Sequence, residues 1–295
     1  MSYSAIVIIY NPNSTGPSKA LADDLKRRIL KQIPSQQNVR LIATKYAGHG
    51  EQIAYDVAKA SKNPLIFSSS GDGGYHEVIN GAIKAQEEKA NPTVGLLPGG
   101  NANDHYTQLH SENIVNLISK GKSRSIDLLR ISAHSNNTSF DRYAHSYIGL
   151  GLTPWVGREL TKANLNPINQ VFISLKALFN FRPVKIRIKN SPQTYNSIIF
   201  SNIDVMAKVL QISRPSKIDD GAFEVTIFRQ TSKLRLFVSL LKASIINTDE
   251  DAQMSHYEFE TIKKTLVQLD GEVFTIDAKA KVTIRSERKI LRCIV

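Results

Sequence analysis

From the N-terminus to about residue 125, short apolar runs alternate with stretches whose apolar positions recur at helical spacing. Ala5–Tyr10, Val39–Thr44, Leu65–Ser69 and Thr93–Leu97 read as strands. Between them, Lys19–Ile33, Glu51–Lys59 and Glu77–Glu88 carry an apolar stripe beside a polar one, which predicts helices. Such alternation specifies a parallel sheet covered on both faces. Ligands of these sheets gather beyond the carboxyl ends of the strands. Each polar or glycine-rich loop here follows a strand.

After Ser125 the texture changes. Ser125–Ser132, Tyr143–Leu150, Val184–Lys189, Asn196–Asp204, Phe223–Arg229, His256–Ile262, Val273–Ile276 and Val282–Ile284 read as strands without regular helices between them. That is the pattern of an antiparallel sandwich or barrel. Helical insertions are expected near Pro154–Ala163, Gln170–Phe181 and Lys233–Ile246. Gln170–Phe181 is apolar on several sides, through Phe172, Leu175, Leu178 and Phe179. It is read as packing on the sheet in preference to entering a membrane. The division expected is an α/β domain over 1–125 and a β-rich domain over 126–285, with residues from about 286 to 295 packing back on the first.

Composition narrows the class. A chain of 295 residues with 41% hydrophobic and 22% charged residues is globular in character and long enough for two cores. The net charge of +12 suits a polyanionic partner. Residues 1–125 hold 14 Lys/Arg against 10 Asp/Glu, leaving 24 against 16 for the remainder, so the excess lies mainly in the back half. The basic residues are scattered and form no aromatic-basic recognition motif, which argues against nucleic acid. Cys293 is the single cysteine, which fits a reducing, cytoplasmic setting. No run approaches the ~20 apolar residues of a membrane span, so membrane contact is expected to be peripheral.

The chemistry concentrates in loops. Ser70-Gly71-Asp72-Gly73-Gly74-Tyr75-His76-Glu77 joins a strand to a helix. Its glycines permit close approach of backbone to a ligand, and a helix start offers free N–H groups to phosphate. Asp72 is a poor neighbour for phosphate unless Mg²⁺ or water stands between them. Pro98-Gly99-Gly100-Asn101-Ala102-Asn103-Asp104 and Asn11-Pro12-Asn13-Ser14-Thr15-Gly16 follow two further strands. Neither a P-loop nor a GxGxxG fingerprint is present, and the seven histidines show no metal spacing. In the back half, Leu269-Asp270-Gly271-Glu272 and Lys217-Ile218-Asp219-Asp220-Gly221 place carboxylates on turns. Asp-Gly alone is ordinary hairpin chemistry.

Taken in order, these residues resemble a known family. Asn11-Pro12-x-Ser14, Gly71-Asp72-Gly73 with Glu77-Val78-x-Asn80-Gly81, Pro98-x-Gly100 with Asn103-Asp104, Ile126-Asp127-Leu128, Asp219-Asp220-Gly221 and Asp270-Gly271-Glu272 are similar to the diacylglycerol kinase catalytic domain and to soluble bacterial lipid kinases. The resemblance implies a Rossmann-like nucleotide domain, a C-terminal β-sandwich or barrel-like domain and ATP bound between them with Mg²⁺. It implies that Asn11, Pro12, Asn13, Ser14, Thr15, Thr44, Gly71, Asp72, Gly73, Gly74, Tyr75, His76, Glu77, Gly100 and Asn101 line the nucleotide site. Glu272 becomes the general base and Asp72 the organiser of Mg²⁺ and phosphates. Asn103, Asp104, Asp127 and Asp270 form the supporting network. Asp220 with the carbonyls of Lys217 and Ala222 matches a structural Mg²⁺ site. The acceptor is a lipid hydroxyl at an anionic membrane surface, and a homodimer is compatible with the sequence.

Two positions depart from the family. Gly74 and Asn101 stand where it usually has threonine. Every carboxylate position is kept, so the reading is a variant active site. The rivals are an NAD kinase-like enzyme, which shares the Gly-Asp-Gly loop, and a degenerate member that binds nucleotide or lipid without turnover.

Overall fold

The computed structural model describes residues 3–101, 103–109, 113–136, 138–161, 173, 176–206, 210–211, 217–243 and 252–294. The chain divides into two compact units, Met1–Asp127 with Arg288–Val295, and Leu128–Glu287.

The first unit is a parallel sheet ordered β2 (Val39–Ala43), β1 (Ala5–Tyr10), β3 (Pro64–Ser70), β4 (Thr93–Pro98). The C-terminal residues pair parallel to β4 through Cys293 and Val94. β1, β3 and β4 are buried along nearly their whole length, as strands covered on both faces must be. On one face Ile6, Ile8, Leu65 and Phe67 meet Ala22, Leu25 and Ile29 of α1 (Ser18–Gln32) and Leu117 and Ile118 of α5 (Ile114–Lys120). Leu25 and Ile29 each contribute roughly 2 kcal/mol by leaving water. The alternate strand residues Val7, Ile9 and Ile66 are equally buried, as are Ile53 and Val57 of α2 (His49–Ala60) and Val78, Ile79 and Ile83 of α3 (Asp72–Glu87).

The second unit is antiparallel. β7 (Tyr147–Gly151) lies between β15 (Thr265–Leu269) and β9 (Ser191–Ser201), and β15 forms a hairpin with β16 (Glu272–Ile276). β9 pairs in turn with β8 (Val184–Ile188) and β12 (Phe223–Arg229). The core is built from alternate residues of these strands, including Ile148, Leu150, Ile198, Phe200, Phe223, Val225, Val267 and Leu269. A smaller cluster joins Leu152 of α6 (Leu152–Thr161), Leu178 and Phe181, and Leu236 of α7 (Lys233–Ala243).

The α/β unit and the antiparallel unit are the fold expected from the sequence, and the departures are local. α3 starts at Asp72, five residues before the expected helix, because two glycines in its first turn mask the periodicity. Tyr143–Leu150 is two strands, β6 (Ser139–Ala144) and β7, with His145 and Ser146 between them. The run expected at Val282–Ile284 is the middle of a strand of 13 residues, Lys281–Cys293, whose Ser286-Glu287-Arg288-Lys289 segment hides its strand character. β15 is the strand-like run expected before the Asp270-Gly271 turn, whereas α4 (Asp104–Leu109) and α5 have no counterpart in the sequence reading. Phe172 and Leu175 lie outside the described residues.

Candidate active site

Beyond the carboxyl ends of the first unit's strands the loops are sewn together backbone to backbone. After β1, the Ser14 N–H donates to the Asn11 carbonyl at 3.1 Å, closing a turn with Pro12 at its second position. The Asn13 N–H donates to Asn11 Oδ1 at 2.9 Å. Pro12, Asn13 and Thr15 are left exposed, while the Ser14 hydroxyl donates to the Gly99 carbonyl of the loop after β4. After β2, the Thr44 N–H donates to the Tyr10 carbonyl at 2.9 Å, which brings Thr44 beside the first loop.

After β3, Gly71 caps α3 in extended conformation, and the Tyr75 N–H donates to the Gly71 carbonyl at 3.1 Å. The amides of Asp72, Gly73 and Gly74 therefore begin the helix without an i−4 acceptor inside it. A helix of 16 residues adds a partial positive charge there. The loop after β4 comes within touching distance: a Cβ on Gly100 would lie 2.2 Å from the Gly71 Cα. Only glycine permits that approach. Asn103, at φ 54°, clamps this loop by accepting from the Gly100 N–H at 3.0 Å and donating to the Gly100 carbonyl at 2.9 Å.

Asp72 is half-buried at the head of α3 and accepts from the His105 N–H at 3.5 Å. A carboxylate among phosphate-seeking amides suits a Mg²⁺–phosphate pair, since Mg²⁺ takes one or two carboxylates and completes its shell with phosphate and water. No group of three or more His, Cys, Asp or Glu that could hold a metal occurs among the described residues. An ion at Asp72 would thus draw on phosphate and water. Glu77, one turn into α3, accepts from the amides of Gly48 at 2.7 Å and Gly50 at 2.8 Å. Its carboxylate anchors the start of α2.

In the second unit the geometry centres on a hairpin. Asp270 (φ 49°) and Gly271 (φ 103°) form a two-residue turn between the paired residues Leu269 and Glu272. Both central residues are left-handed, the twist that matches flanking strands. The Asp270 side chain is wholly buried and accepts from the amides of His145 at 2.9 Å, Ser146 at 2.8 Å and Tyr147 at 3.2 Å. His145 Nε2 lies 3.5 Å from the same carboxylate, and His145 Nδ1 is 2.7 Å from the Ser146 hydroxyl. Glu272, the first residue of β16, is exposed. A rigid, buried acid thus holds the turn from which an exposed acid projects.

Residues 5–131 match the sequence profile of the diacylglycerol kinase catalytic domain. That match lies almost wholly within the first unit. A protein named "Probable lipid kinase YegS-like" from Shewanella frigidimarina is 28% identical over 230 residues, 71% of this chain and 70% of the relative. "Probable lipid kinase YegS" from Salmonella arizonae is 25% identical over 226 residues, 74% of each. In fold, the chain matches the crystal structure of a diacylglycerol kinase from Bacillus anthracis (TM-score 0.68, 18% identity, covering 100% of this chain and 97% of the other). It also matches yeast NADH kinase complexed with NADH, at a TM-score of 0.50 and 11% identity over 99% of this chain and 84% of that one.

Within residues 5–131, not every residue named from the sequence turns its side chain toward the loops. Tyr75 is wholly buried, its hydroxyl 3.7 Å from Cys293 Sγ and its ring against His105. His76 is buried too, with Asn80 donating to its carbonyl at 2.9 Å. Their places in the motif serve the packing of α3. Asp127, fully buried, accepts from the Lys289 N–H at 2.6 Å and so ties the C-terminal strand to β5 (Arg124–His134). Asp104 is buried at the start of α4, and Asn101 is exposed.

In the second unit, Asp220 accepts from the Ala222 amide at 3.0 Å and from the Gln253 side chain at 3.0 Å. These two bonds fix its turn. Sequence reasoning missed the stitch between Ser18 and Ser69: the Ser18 hydroxyl donates to the Ser69 carbonyl, and the Ser69 hydroxyl donates to the Ser18 carbonyl at 2.6 Å. A run of three serines closing an otherwise apolar strand was the available signal. It missed His145 as well, which no spacing in the sequence links to Asp270.

Proposed function

We propose that the chain is an ATP- and Mg²⁺-dependent lipid kinase that works at the surface of a membrane from the cytoplasmic side. The acceptor named here is diacylglycerol, giving phosphatidic acid. The observation that carries the reading is the meeting of the Asn11, Gly71 and Gly100 loops at the start of α3, with Asp72 among them, in a stretch that matches the diacylglycerol kinase catalytic domain.

The amides of Asp72, Gly73 and Gly74 and the exposed loop residues Asn13, Thr15 and Asn101 bind and orient the triphosphate. Bound Mg²⁺ would offset the charge that builds on the phosphate oxygens, and Asp72 is the residue that would hold it. Glu272 accepts the proton of the lipid hydroxyl while that oxygen bonds to the γ-phosphorus. The bond from the γ-phosphorus to the β–γ bridging oxygen breaks, and ADP leaves with that electron pair. Catalysis of this kind depends on positioning and charge compensation, with a carboxylate orienting the attacking oxygen.

The test is transfer of label from γ-labelled ATP into a total lipid extract presented in detergent micelles, with NAD as a parallel acceptor. Label in a lipid supports the reading, and label in NAD alone refutes it. Glu272 is exposed, so Glu272→Gln is expected to fold normally and to lower kcat by on the order of 10²- to 10⁴-fold. Near-normal turnover would remove Glu272 from the base role.

A further inference from the structure

One face of the second unit combines exposed apolar side chains with a group of cations. Leu234 is 67% exposed, Phe179 54% and Val238 43%. They are lifted out by the same helical segments whose Leu178, Phe181 and Leu236 are buried in the small cluster with α6. Lys233 fastens the two segments, its ammonium donating to the Phe179 carbonyl and lying 5.8 Å over the Phe181 ring. Immediately beyond Phe181 opens a cavity of about 540 Å³ whose rim includes Arg182, Lys185, Lys263 and Lys264, with Trp155 and Leu266 in its wall. Among the described residues Arg182, Lys185 and Lys263 have no carboxylate partner, and Lys264 reaches Asp277 only at 3.8 Å.

This cavity is separate from the Glu272 hairpin. Leu150 pairs with Val267 and Ile148 with Leu269, so Gly151 and Thr265 at the cavity stand at the opposite end of the β7–β15 ladder from Tyr147 and Asp270. Along a strand that separation is roughly 13 Å.

We propose that this face docks on an anionic phospholipid bilayer, with Phe179, Leu234 and Val238 entering the interface and the basic cavity seating an anionic headgroup. Charge complementarity selects this occupant: apolar side chains edged by Lys and Arg suit a negatively charged lipid surface, whereas a second copy of the chain would bring the same positive rim against itself. The docking face gives the lipid-kinase reading its membrane contact, and it rests on that reading for its purpose.

Trp155 is the single tryptophan of the chain and lines the cavity, so its fluorescence reports on this face alone. The full chain is titrated with vesicles of phosphatidylglycerol and, separately, phosphatidylcholine. A change in Trp155 emission and co-sedimentation are expected with phosphatidylglycerol and not with phosphatidylcholine. The paired variant Phe179→Ser, Leu234→Ser should weaken partitioning roughly tenfold or more. The triple variant Arg182→Ala, Lys185→Ala, Lys263→Ala should weaken it by on the order of 100-fold. All these positions are exposed, and thermal melts verify folding. Equal binding of both vesicles, or variants that bind like the native chain, would overturn the proposal. So would a native dimer that the serine variant splits without change in vesicle binding, which would assign the face to a second copy. The micelle transfer assay needs no bilayer, so loss of vesicle binding with intact transfer, or the reverse, tells failure of one reading from failure of the other.

Discussion

Ser70 occupies the space that a side chain at position 74 would need. A Cβ built on Gly74 would lie 2.3 Å from the Ser70 hydroxyl and 2.7 Å from its Cβ. That hydroxyl is buried, 2.6 Å from the Ser68 hydroxyl, and donates to the Gly71 carbonyl at 3.0 Å. Gly74 thus faces a serine at the end of β3, which braces the loop from below.

This pairing predicts a compensating exchange. Gly74→Thr is expected to destabilise the chain by about 1–3 kcal/mol through overpacking. Ser70→Gly in the same chain should relieve most of that loss. A double-mutant cycle in urea checks it, and strictly additive effects would show that the two positions do not share their space.

Asp270→Ala should be costly although the residue sits beside an exposed hairpin. Three amides that now bond the carboxylate would be left buried without it, at about 3 kcal/mol or more in total. The Glu272 turn would lose its anchor, so kcat should fall along with urea stability. A variant of native stability would mean that other groups hold the His145–Tyr147 segment.

Asp127→Ala is expected to loosen the C-terminal strand. Its carboxylate accepts the Lys289 N–H, and Lys289 itself holds φ 50°, an uncommon conformation for a lysine. Amide hydrogen exchange should rise over residues 288–294 in the variant, with little change in the second unit's core. Unchanged protection there would deny Asp127 this role.

Stability should decline at alkaline pH. Complete burial pushes the Cys293 thiol up to about 12, and burial also pushes the Tyr257 phenol up to about 12. Both folded values lie above those of the unfolded chain, so the stabilisation is fully present below the unfolded values near 9 and 10 and is lost as pH rises toward 12. Urea midpoints measured between pH 8 and 11 check the sign, and Cys293→Ala should flatten the lower part of the decline. Native Cys293 should also resist thiol reagents until the chain unfolds.

The sequence by itself determined the two-unit plan, because strands covered on both faces need unbroken apolar runs and strands covered on one face alternate. It determined the Asp270-Gly271 turn, whose left-handed residues admit few side chains, and the three loops that meet above the parallel sheet. It did not show where α3 begins, since two glycines in the first turn of a helix look like loop. Nor could it divide the motif residues by the direction of their side chains. Only the tertiary structure turned Tyr75 and His76 inward, joined Glu77 to the start of α2 and Asp127 to Lys289, and brought His145 to Asp270 across 125 positions of chain. The reason is physical: local pattern is written in neighbouring residues and their period, whereas burial, orientation and long-range hydrogen bonding depend on which distant backbone groups packing leaves within reach.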